Sequence, residues 1–318
     1  MDGDAGNNLL ELVTSWRFRE VVRLALDDEG ALVEIVRLLR FDDCSVVVGA
    51  LSALGEALPY LSEGGKFRVL REGFDDLIRL LNSDVPVARR AISILKHLLS
   101  SVPLSRNHLV SLVEILSEVA GGENGPILLH DLFELASKPR PIFFDELVEP
   151  VRRMVTSDNP NVALLGARLA VTMGIPVFIG WRNVLNALAR ALRGKNAVAV
   201  ELALEVVSDL GSLLLEAPIL YVIKSLYPPL KTLSGSGADA VIRGRAVEVF
   251  ERFRKAVFNY YRTRPLEAGN DAEELLKEGF TEEALLVASA SGYSVNLLMR
   301  KVEGLVPTPN FKTPFTPG

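Results

Sequence analysis

The sequence predicts an all-α protein built as a solenoid of about six stacked helical hairpins. Three observations carry this reading. Two interleaved series of apolar stripes recur along the chain, each with helical spacing. Equivalent stripes return every 34 to 43 residues. An Asp or Asn stands just ahead of every helix of the second series. A hairpin of this size cannot bury its apolar face alone, so it stacks on its neighbours.

The chain divides into four segments in order. Residues 1–29 hold helical stretches around Trp16, Val21, Val22, Leu24 and Ala25 that cap the first repeat. Residues 30–264 form the array. Its first-series helices show apolar residues at i, i+3, i+4 and i+7: Leu32, Ile35, Val36, Leu39; Phe74, Leu77, Ile78, Leu81; Leu109, Leu112, Val113, Leu116. The series continues with Phe144, Leu147, Val148, Val151; Leu185, Leu188, Ala189, Leu192; and Ile219, Val222, Ile223, Leu226. The second series is spaced i, i+4, i+7, i+8: Val46, Ala50, Ala53, Leu54; Val87, Ala91, Ile94, Leu95; Leu128, Leu132, Leu135, Ala136. It ends with Val162, Gly166, Leu169, Ala170; Ala199, Ala203, Val206, Val207; and Ile242, Ala246, Val249, Phe250. Small residues at the second position let a neighbouring helix approach closely. The expected N-caps are Asp43, Asp84, Asn124, Asp158, Asn196 and Asp239, each worth about 1 kcal/mol. Residues 265–304 form a C-terminal helical cap, with three short helices expected near 271–278, 281–291 and 294–303. Residues 305–318 are a Pro-rich extended tail.

Composition excludes several classes. Hydrophobic residues at 49% and charged residues at 24% supply a core and rule out a disordered chain. The mean hydropathy of +0.25 raises the question of a membrane span. The charge-free stretch between Arg168 and Arg182 holds only 13 residues and is interrupted by Pro176, so it reads as buried core. The start, MDGDAGNN, lacks the basic and apolar order of a secretory signal. Cys44 is the single cysteine, so no internal disulfide forms, and a cytoplasmic location is expected. Glutamine is absent and Arg outnumbers Lys 25 to 10, a composition that fits a thermophilic, archaeal-like source. A net charge of −5 argues against wholesale coating of nucleic acid.

The segments LNSDVPVARRAISILKHLL and TSDNPNVALLGARLAVTMG resemble the second helix of HEAT repeats, in the HEAT and armadillo superfamily. The resemblance spans the array. It implies a right-handed α-α superhelix whose second helices line a concave binding face. Repeat three departs from it, with Leu132 where a small residue belongs and the loop GGENG before it. The run LLKEGFTEEALLVASASGYSVNLLMRKV faintly resembles a ubiquitin-associated three-helix module through Gly279, Phe280, Ala284 and Asn296; a capping hairpin and a half is the alternative.

No catalytic chemistry is expected. His97, His108 and His130 fall on different helices, without a second ligand at metal spacing, so neither a metal nor a cofactor is anticipated. Cys44, flanked by Asp42 and Asp43, reads as a buried or half-buried structural residue. Gly235, Gly237 and Asp239 form a linker, lacking the strand and Lys of a phosphate-cradling loop.

The function anticipated is that of a non-catalytic scaffold or adaptor with a protein or peptide partner on the concave face. Its outward side chains are Arg89, Arg90, Lys96, His97, His130, Glu134, Arg168, Glu201 and Glu205. Their mixed signs suit a protein better than a polyanion. The competing reading is a nucleic-acid module using Arg243, Arg245, Arg252, Arg254, Lys255, Arg262 and Arg264, interleaved with Phe253, Phe258, Tyr260 and Tyr261 as stacking platforms. Against it stands a long last helix with a solvated basic face, whose aromatics pack on an acidic terminal cap. In the tail, Phe311 and Phe315 are expected to anchor in an apolar groove, with Pro309, Pro314 and Pro317 keeping the chain extended.

Overall fold

The computed structural model describes residues 3–139, 145–211, 216–235 and 239–292, with side chains from residue 9 onward. Phe144, Gly237, Asn296, the helix expected near 294–303 and the tail with Phe311 and Phe315 lie outside the described residues. All regular structure among the described residues is helical. The chain divides into two compact units, Met1–Asp209 and Leu210–Gly318.

The first unit opens with α1 (Gly3–Thr14), α2 (Phe18–Asp27) and α3 (Glu29–Arg37). It continues with α4 (Cys44–Ala57), α5 (Glu63–Arg79), α6 (Val85–Ser101), α7 (Arg106–Gly121), α8 (Gly125–Ala136) and α9 (Asp145–Val155). It closes with α10 (Pro160–Thr172), the single turn α11 (Pro176–Ile179), α12 (Trp181–Leu192) and α13 (Ala197–Leu210). The second unit holds α14 (Ile219–Ser234), α15 (Ala240–Arg262), α16 (Pro265–Lys277) and α17 (Thr281–Ser291). Both stripe series therefore fall on helices. Every stripe residue described is buried or half-buried, Leu132 of repeat three included.

Within the first unit the second-series helices neighbour one another, α4 on α6, α6 on α8 and α8 on α10, and α2 of the N-terminal cap lies on α4. Small residues set the spacing. A Cβ at Gly166 on α10 would stand 2.7 Å from the Met154 Cβ of α9, closer than two carbons pack, so α9 and α10 meet there only because the residue is glycine.

The caps follow the expected positions with one correction. Asp43, Asn196 and Asp239 accept hydrogen bonds from the amides of Ser45, Val198 and Val241. Asp84 and Asn124 stand at the N-cap without such a bond; the Asn124 side chain instead donates to the Ser83 carbonyl at 3.4 Å. In repeat four the cap is Asn159, not Asp158. It accepts from Asn161 and Val162, because Pro160 takes the first helical position, where its missing N–H costs nothing.

Three further expectations need correction. Cys44 is exposed, as the first residue of α4 and ahead of the buried stripe that begins at Val46. The first cap helix starts at Pro265 rather than near 271, again with proline in its first turn. The stretch after Arg168 buries Met173, Ile175 and Ile179 as expected, but α11 leaves Val177 and Phe178 about half exposed. No helix among the described residues is long and apolar enough to cross a membrane.

Candidate protein-interaction face

The polar side of the second-series helices carries a ladder of ion pairs between successive repeats. From α6, the Arg89 Nε donates to the Asp131 carboxylate of α8 at 3.1 Å, and its Nη2 to the Ile127 carbonyl at 3.4 Å. About two turns further along, Lys96 pairs with Glu134, also on α8. On α10, Arg168 pairs with Asp209 and, at 3.8 Å, with Glu205, both on α13. The Arg168 guanidinium also lies 5.0 Å from the Phe133 ring centre of α8. Arg89, Lys96, Glu134, Arg168 and Glu205 are thus brought together on one face, tied to each other helix by helix.

The same device recurs on the first-series side. Arg68 reaches Glu29, Arg40 reaches Asp76 at 2.9 Å, Asn82 reaches Glu118 at 2.9 Å, and Arg106 pairs with Glu146. Each of these links spans a separation near one repeat. Asp131 and Asp209 were absent from the residues read as functional, although the signal was there. An opposite charge stands 42 residues after Arg89 and 41 after Arg168, close to one repeat period.

Burial grades the rungs. The Arg168 side chain is only 11% exposed, with Glu205 and Asp209 at 38% and 48%. Loss of its partners strands a largely desolvated cation, at a cost of about 1–3 kcal/mol. The Arg89–Asp131 pair is wetter and contributes about 0.2–1 kcal/mol. Glu134 sits below the usual carboxylate range because it accepts a hydrogen bond from Lys96, burial opposing the shift.

The remaining predicted residues differ. Arg90, His130 and Glu201 are exposed. His97 is half-buried, with its Nε2 sealed from solvent and without a hydrogen-bond partner.

His130 corrects an expectation. It has carboxylates at ligand spacing: His130, Asp131 and Glu134 each offer a donor atom within 4.8 Å of the others. One helical turn brings i, i+1 and i+4 together. Arg89 and Lys96 already neutralise both carboxylates, so a divalent cation there would meet two fixed positive charges. The cluster fits its role in the ladder and does not fit a metal.

The basic segment lies on α15, and burial splits it. Phe253 and Tyr261 are buried against the rest of the unit, and the Tyr261 hydroxyl donates to Asp271 of α16 at 2.6 Å. Burial pushes that phenol far up. Phe258 alone of the four aromatics is exposed, at 38%. Arg252 pairs with Glu248, Arg254 with Glu251, and Arg264 with Glu267. Arg243, Arg245, Lys255 and Arg262 are exposed, and of these Arg243, Lys255 and Arg262 have no ion pair among the described residues. Stacking platforms are the part of the nucleic-acid reading that fails, because two of the rings are core.

No family model matches the chain, and no curated protein matches it. Solved structures do. An archaeal HEAT-like repeats protein from Thermococcus onnurineus NA1 is similar, with a TM-score of 0.63 and 24% identity over 79% of this chain and 97% of that one. An engineered protein gives a TM-score of 0.49 and 16% identity, over 96% of this chain and 79% of its own. A designed armadillo repeat protein in complex with the peptide (KR)4 gives 0.40 and 13%, over 78% and 91%. The chain therefore has a HEAT-like α-solenoid fold, the solenoid expected from its periodicity and the HEAT likeness implied by the resemblance of its second helices.

Proposed function

We propose that the chain is a non-catalytic scaffold that holds a protein or peptide partner along the second-helix face of its first unit, in the cytoplasm. The observation that carries this reading is the ladder. Its ion pairs tie α6 to α8 and α10 to α13, Arg168 lies over the Phe133 ring of α8 between them, and the surface left carries charges of both signs that are already balanced. A polyanion gains little from such a surface, whereas a polypeptide with its own alternating polar groups complements it. Exposed Arg90, His130 and Glu201 beside the rungs supply direct contacts.

The test uses Arg90→Glu and His130→Ala, which spare the rungs. Partners recovered by affinity purification from the source organism should bind these variants at least about tenfold more weakly, with unchanged melting. Equal binding by parent and variants overturns the face assignment. The second reading, nucleic acid on α15, keeps support only in Arg243, Arg245, Lys255, Arg262 and Phe258. Titration with labelled DNA and RNA at two salt concentrations decides it, since phosphate contacts give a steep salt slope. For the tail, Phe311 and Phe315 remain proposed anchors. Deleting residues 305–318 should lower either the melting temperature or partner retention.

A further inference from the structure

The second unit contains an open cleft of about 430 Å³, lined in part by the exposed Asn259 and Thr263, that the scaffold reading leaves without a role. Its apolar walls are Ile219 of α14, and Ala256 and the ring of Tyr260 on α15. Its polar groups are Asn259, Thr263 and Arg264, beside Gly211. The volume falls in the range of small-molecule sites, about 300–1,000 Å³, and the mixture of apolar wall with a few converging polar groups is their usual lining.

Arg264 gives the cavity its sign. Its guanidinium stacks on Tyr260, 4.0 Å from the ring centre, and its Nη1 donates to the Tyr260 carbonyl at 3.2 Å. Its Nε lies 3.7 Å from Glu267, beyond hydrogen-bond reach. The Nη2 donors make no hydrogen bond among the described residues, and neither does the Asn259 side chain, so an oriented cation and an amide stand ready beside an apolar wall. A planar guanidinium with a free edge matches a carboxylate in two-point fashion, and the walls demand an apolar body rather than a bare anion.

We propose that this cavity binds a small carboxylate with an apolar, preferably flat, body. Its carboxylate meets Arg264 and Asn259, and its body lies on Ile219, Ala256 and the Tyr260 ring.

The full chain is titrated with benzoate, phenylacetate and hexanoate, and in parallel with benzamide, hexanamide and acetate, following melting temperature and heat of binding. The apolar carboxylates should raise the melting temperature saturably, and the amides and acetate should bind at least about tenfold more weakly, which is the loss of one ionic contact. Arg264→Met should erase the preference for carboxylate over amide while apo melting stays within a few degrees. Ala256→Phe should fill the cavity and abolish binding of both classes. Should Ala256→Phe not fold, Ala256→Leu gives the same reading as weakened binding. The proposal is overturned by no response to any carboxylate at millimolar concentration, by equal responses to carboxylate and amide, or by unaltered binding in the filled-cavity variants.

Discussion

The second-helix face of the first unit and the basic side of α15 are both rich in Arg and Glu, yet their charges do different work. On the first, Arg89, Lys96 and Arg168 each reach an anion on the next repeat. On the second, Arg252 and Arg254 reach anions three or four residues away on their own helix. A pair within one helix only lowers local repulsion, at about 0.3–0.5 kcal/mol. A pair across repeats reports on, and stabilises, the stacking of one hairpin upon the next. Equal composition thus yields mechanical coupling in one region and mere solubility in the other.

The difference is sharpest at Arg168. Arg168→Ala should lower the stability of the first unit by about 2–3 kcal/mol in denaturant unfolding, since it abandons two acids and the Phe133 stack. Loss below about 0.5 kcal/mol would erase the distinction between the regions. Next in size, Lys224 of α14 is 17% exposed and held by Glu274 of α16 and Glu278 at its C-cap, a cross-helix device within the second unit. Converting both acids to Gln should cost about 1–3 kcal/mol by isolating the cation, while Lys224→Met should cost less than that, because a buried ion pair is replaceable by apolar packing.

A double-mutant cycle on Arg89 and Asp131 should return a coupling of about 0.5–1 kcal/mol, and the swapped pair Arg89→Asp with Asp131→Arg should recover most of it. The corresponding cycle on Arg252 and Glu248 should stay near or below 0.5 kcal/mol. Smaller still is an acid effect at Glu134. Its folded carboxyl titrates below the unfolded value of 4.5, so the stability it supplies is complete above that pH and is lost as pH falls through the lower folded value. Lys96→Met should remove this part of the acid dependence; an unchanged acid limb in that variant would show that Lys96 does not hold the carboxylate.

The helices were legible in the sequence because burial writes itself into periodicity. Both stripe series describe the helices observed, down to Leu132, whose departure from a small residue left the register of α8 intact. What periodicity does not encode is direction around the polar side. Asp131 adjoins His130 in the chain, but its meaning depends on Arg89, forty-two residues earlier. His130 and Glu134 were overlooked as a pair although four residues apart on one helix. Phe253 and Tyr261 looked available to bases because a long basic helix hides which of its sides the cap covers. One cap and one helix start were misplaced, each where proline takes the first turn, at Pro160 and Pro265, since its fixed φ sets where a helix can begin.

The spacing of the rungs also bears on how the chain avoids folding wrongly. By their stripes, Leu128 of α8 corresponds to Val162 of α10, which sets Glu134 in register with Arg168. A hairpin that skipped its neighbour, so that α6 docked directly on α10, would bring Lys96 to Arg168 in place of Glu134. An ammonium and a guanidinium would then face each other on a partly dry surface, where repulsion is poorly screened. Repeats with near-identical apolar stripes are interchangeable to the hydrophobic effect, so out-of-order docking is their natural error. The alternation of charge from one hairpin to the next labels each with its place in the queue.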